Sequence, residues 1–118
     1  MKVTNLDTVL KDEKGEEMAD GSTARKVLTA ATAATVNPQV LQEDFDTKFK
    51  LGIVALKLNR AKRAVILTSE EIGLIKKRVG LFFSPMICVR LNGVLEGKNA
   101  ESSIPADELD PPDDEKAA

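Results

Sequence analysis

No histidine, tryptophan or tyrosine occurs among the 118 residues, and there is a single cysteine. The lack of histidine removes Ser-His-Asp and Cys-His nucleophilic sites and every zinc site that uses imidazole. One cysteine cannot close a disulfide within the chain, and Cys88, set among Met86, Ile87 and Val89, reads as a small core residue. The aromatic residues are four phenylalanines, 3% of the chain. A single-stranded nucleic-acid platform that stacks bases on aromatics is therefore disfavoured, and so is an interface anchored on Trp and Tyr. Glycine-rich phosphate loops and GxSxG are missing, which leaves no motif for a cofactor or a small-molecule substrate. No apolar run approaches membrane-spanning length and no apolar leader opens the chain. The expectation is a soluble protein of a reducing cytoplasm with no membrane partner.

What remains is a chain of 42% hydrophobic and 31% charged residues, enough for one modest aliphatic core of Leu, Ile, Val and Ala. The formal net charge of −2 hides an uneven distribution. Residues 1–47 carry five basic and nine acidic side chains, residues 48–98 eleven and three, and residues 99–118 one and seven. A basic middle thus lies between two acidic ends. The last segment, rich in Pro and acids, reads as a disordered acidic tail behind a globular domain of residues 1–98.

Within that domain the pattern predicts a mainly α (α+β) fold of about four helices around a central one. A polar cluster ending in Gly15, between the apolar pieces at Val9-Leu10 and Met18, predicts a turn joining two short strands. Ala24, Val27, Leu28, Ala31 and Ala34 recur at helical spacing and predict a helix over 22–35, closed by Asn37-Pro38. Ala64 to Leu67 reads as a short strand pairing with the N-terminal segment. Thr68 and Glu71 form a capping box, opening a helix whose apolar face is Ile72, Ile75, Val79, Phe82 and Phe83 and whose Lys76, Lys77 and Arg78 face water. Ser84-Pro85 starts a last helix, striped by Ile87, Leu91, Val94 and Leu95 and ended by Gly97.

The central helix, 42–63, is apolar on two sides. Phe45, Phe49, Gly52, Ile53 and Leu56 share one face, read as the core face, with Gly52 as a contact point for the Ala-rich helix before it. Leu51, Val54, Ala55 and Leu58 make a second strip roughly opposite. A two-sided helix must be covered twice, by its own domain or by a second chain. On this reading Leu51, Val54 and Leu58 are the candidate interface.

The acidic pairs Glu16-Glu17, Glu70-Glu71 and Asp113-Asp114 sit in a turn, a helix start and a tail, where nothing shifts a carboxyl toward acid-base work. Residues 12–20 match a calcium loop only loosely. The chain is therefore expected to be no enzyme. Lys57, Arg60, Lys62 and Arg63, with Lys76, Lys77 and Arg78, could together attract phosphate, which makes Lys57, Arg60, Arg63, Lys76, Lys77 and Arg78 the candidate nucleic-acid contacts. A solvated helix face is the plainer reading, and the acidic tail could lie across that surface.

Residues 65–97, VILTSEEIGLIKKRVGLFFSPMICVRLNGVLEG, resemble small proteins encoded by tailed bacteriophages and prophages. The shared features are a capped L-T-x-E-E-I helix, an S-P-started apolar segment and a closing L-E-G. The opening from Asn5 to Gly15 is similar to theirs as well. The resemblance carries no catalytic motif. It implies a phage origin and, with the two-sided helix, a non-enzymatic accessory protein acting through protein-protein contacts, homo-oligomeric and associated with virion or capsid assembly. Its partners would be further copies of itself or another phage protein, in the host cytoplasm or the virion. Two alternatives stand beside this: a nucleic-acid-binding regulator using the basic surface of residues 57–78, and an inhibitor of a host protein whose acidic tail imitates nucleic acid.

Overall fold

The computed structural model describes residues 1–99 and, beyond them, Glu101, Ile104, Pro105 and Asp107. Among these the order of elements is β1 (Lys2–Val3), α1 (Ala24–Ala33), α2 (Phe45–Arg60), β2 (Val65–Ile66), α3 (Ser69–Phe82) and α4 (Pro85–Glu96). The fold is mainly helical with a small β element. Most of the expected acidic tail lies outside the described residues. Its first part touches the domain, since Glu101 accepts a hydrogen bond of 2.7 Å from Arg90.

Each helix starts where a side chain satisfies one of its free N–H groups. Thr23 accepts from Lys26, Asp44 from Thr47, Thr68 from Glu71 and Ser84 from Ile87. At Thr68 the box closes in both directions, the Glu71 carboxylate accepting from the Thr68 N–H at 2.9 Å. Gly97, at φ 68°, ends α4 in the left-handed conformation that a side chain resists. The expected strand pairing also forms: β1 and β2 run antiparallel, with Lys2 opposite Ile66 and Val3 opposite Val65. The turn near Gly15 is made by Asp12, whose carboxylate accepts from the N–H groups of Lys14 and Glu16. The strands expected on either side of it reduce to single bridges, Lys11 with Glu17 and Val9 with Thr23.

The core is aliphatic. Ala24, Leu28 and Ala31 of α1, Ile72, Ile75 and Val79 of α3, and Leu91 and Leu95 of α4 are buried with Val3, Leu6, Leu10, Val65 and Leu67. The small face of α1 lets α2 come close, and α2 turns Leu51, Val54 and Leu58 inward.

Two arginines fix α2 at its ends. Arg78, expected on a solvent face of α3, is buried instead. Its guanidinium donates to both Glu43 oxygens, at 3.0 and 2.5 Å, and to the Ala31 and Ala34 carbonyls that close α1. The correction has a physical cause: Glu43 and the orphan carbonyls of α1 supply what a buried guanidinium needs, and no spacing rule announces such a cluster. At the other end Arg25 donates to the Leu58, Ala61 and Lys62 carbonyls, capping α2, while its other edge holds the Asp7 carboxylate. Both helices stop short of the predicted bounds where arginine takes over the terminal carbonyls, at Ala33 and Arg60 rather than residues 35 and 63.

Arg78→Ala should lower unfolding stability by about 3 kcal/mol or more, because it leaves the Glu43 carboxylate buried and unpaired. Urea denaturation measures this. The double variant Arg78→Met with Glu43→Leu should recover most of the loss, since the charge is removed with its partner.

Candidate interaction surface

Set by the two arginine clamps, α2 presents to solvent the face that its sequence suggested for the core. Phe45 is 78% exposed, Phe49 59%, Leu56 53% and Ile53 37%, whereas Leu51, Val54 and Leu58 are 1% exposed or less. The candidate interface of Leu51, Val54 and Leu58 is thus interior, and the strip at Phe45, Phe49, Ile53 and Leu56 is the outer one. Both strips are equally apolar, so period alone cannot rank them. Val54 and Leu58 of the aliphatic strip join the core cluster with Ala24, Leu28 and Ala31 of α1.

None of the four phenylalanines is buried, Phe83 being half-buried and the other three exposed. Phe45 and Phe49, one helical turn apart, stack their rings with centroids 6.1 Å apart. Gly52 lies on the same face, and a Cβ built on it meets nothing within 4 Å. Its own chain therefore gives no packing reason for a residue that costs a helix interior about 1 kcal/mol relative to Ala. Gly52, expected in contact with α1, is separated from it by a groove of about 530 Å³ that it lines with Leu56 of α2, Thr29 and Ala33 of α1, and Val36.

The basic residues do not form one surface. Arg78 is enclosed, Lys57 is bonded to both Glu71 oxygens at 3.1 and 2.9 Å, and Lys76 pairs with Glu96 at 2.6 Å. Arg60, Arg63 and Lys77 remain exposed. Arg60 and Arg63 stand at the C-terminal end of α2, while Lys77 shares a groove with Asp44 and Thr47 at the other end. Those ends are about 20 Å apart at 1.5 Å per residue. The six residues proposed as nucleic-acid contacts are therefore split between the interior, ion pairs and two distant sites.

Sequence reading missed Glu71 as a hub between α2 and α3. Burial pushes its carboxyl up, but the hydrogen bond from the Thr68 N–H and the Lys57 ammonium outweigh this and hold it below the usual carboxylate value. At the Arg25 clamp, the guanidinium hydrogen bond likewise lowers Asp7. Among the described residues no group of three or more His, Cys, Asp or Glu side chains is arranged to hold a metal ion, and no helix is long and apolar enough to cross a membrane.

A carboxyl held low in the folded state contributes stability that is complete above its unfolded value, about 4.5 for Glu71, and is lost as pH falls through the lower folded value. Denaturation midpoints measured from neutral pH downward should therefore fall in acid. Glu71→Gln should cost about 1 kcal/mol at neutral pH, in the range of a lost helix cap, with the gap to wild type narrowing in acid.

Comparison of the chain with protein-family models, with curated proteins and with solved structures finds no match.

Proposed function

We propose that this chain is a non-enzymatic interaction module that self-associates through the outer face of α2. The observation that carries the reading is the set of four large apolar side chains, two of them stacked phenylalanines, left in water on one helix by a domain that buries none of its phenylalanines fully. Fully burying one such side chain is worth about 1.5–3 kcal/mol. A second protein surface that covers all four gains that free energy, and isolated surface leucines do not form such a continuous strip. The likeness of residues 65–97 to small tailed-phage proteins supports an accessory role in particle assembly, where self-association is the working property. Charged side chains bordering the strip set the partner and the register.

The nucleic-acid reading gains nothing from the separated positions of Arg60, Arg63 and Lys77. The reading of the tail as an imitation of nucleic acid concerns residues mostly outside those described.

Light scattering across concentration tests the proposal. Wild type should be an oligomer, and Phe49→Asp and Leu56→Asp should be folded monomers by circular dichroism and mass. Leu58→Asp should instead lose the fold, since it places a charge in the core. A wild type that stays monomeric at high concentration overturns the reading.

A further inference from the structure

This inference rests on the reading of the outer face of α2 as a contact between copies, and it assigns that contact its geometry. We propose that two copies pair α2 against α2 in antiparallel orientation, about a two-fold axis passing beside Ile53. The charge at the two ends of the helix complements itself in that sense, while Lys48 and Lys50 add bases to its first half, Lys50 being paired with Glu70. Asp44 and Asp46 stand at its start, and Arg60, with Lys62 and Arg63 just beyond, at its end. A parallel pair would set acids beside acids and bases beside bases, whereas an antiparallel pair sets each beside its opposite and also opposes the two helix dipoles.

The register follows from the spacing. Asp46 and Arg60 lie at equal distances along the chain before and after Ile53, so the axis brings each Asp46 level with Arg60 of the second copy, twice by symmetry. Neither residue belongs to an ion pair within its own chain among the described residues. The same operation sets Phe49 of each copy within one residue, about 1.5 Å, of level with Leu56 of the other and makes Ile53 meet itself. Gly52, next to the axis, has no side chain to hold the helices apart, and the groove beside it receives apolar side chains from the facing helix. An isologous contact of this kind closes on itself, so the assembly ends at a dimer and does not grow into a fibre.

The test is disulfide trapping in full-length protein carrying Cys88→Ala, with mass measured alongside. Ile53→Cys should cross-link to a dimer on mild oxidation, because the axis brings the two residues within the short Cβ separation a disulfide needs. Phe45→Cys should not, because eight residues at 1.5 Å each put it about 12 Å from the axis on either side. Asp46→Arg should weaken the dimer about tenfold through two lost and reversed pairs, and adding Arg60→Asp should restore it. Cross-linking at both cysteines, or at neither while the protein is a dimer, overturns the antiparallel assignment and leaves the interface standing. So does a charge swap that fails to restore affinity. A wild type that is monomeric by mass overturns the interface itself.

Discussion

The buried pair of Arg78 and Glu43 is the contact on which the arrangement of this small domain depends. A guanidinium is one of the most expensive groups to take out of water, and it is tolerated here because each of its three nitrogens finds an acceptor. Two of its bonds go to a carboxylate just before α2 and two to the last carbonyls of α1, so one side chain of α3 ties three helices at a single point. Arg25 performs the same service at the opposite end, joining the C-terminus of α2 to α1 and to Asp7. These two points anchor α2 just before its start and at its end. Its slim aliphatic strip goes in and its aromatic strip stays out.

Much of this fold was legible from the residues alone. The four helices, the Thr68-Glu71 box, the Ser84-Pro85 start, Gly97 as terminator and the pairing of residues 65–66 with the N-terminus rest on local rules, and each is found. Local rules fail where the deciding partner is distant in sequence. Arg78 reads as a solvent residue because Lys76 and Lys77 precede it, yet the residues it bonds lie at least 35 positions away. The rotation of α2 was misjudged for the same reason. Periodicity shows that two apolar strips exist, and the distant contacts made by Arg78 and Arg25 decide between them. The basic residues between Lys57 and Arg78 are close in sequence, and the fold disperses them among the interior, ion pairs and two separate ends of α2.

The functional account follows from that arrangement. A domain of this size has little apolar surface to spare, and leaving Phe45, Phe49, Ile53 and Leu56 uncovered costs it burial that its core could have used. The exposed strip stands on a helix clamped at both ends, a rigid support suited to presenting a contact surface. Asp44 and Asp46 stand at one end of the strip and Arg60 at the other, and Gly52, whose Cβ position is open, lies near the middle. Each feature has a place when the facing surface is a second copy of the same helix turned end for end.

On the proposed interface the aromatic strip of α2, and not the aliphatic one, is the face covered by another molecule. Isotope-filtered nuclear Overhauser spectroscopy on a mixture of labelled and unlabelled protein observes that contact directly. The account predicts intermolecular cross-peaks between the Phe49 ring and the Leu56 methyls, with the methyls of Leu51 and Leu58 silent. Intermolecular cross-peaks from Leu51 or Leu58, or none at all from Phe49, would contradict it.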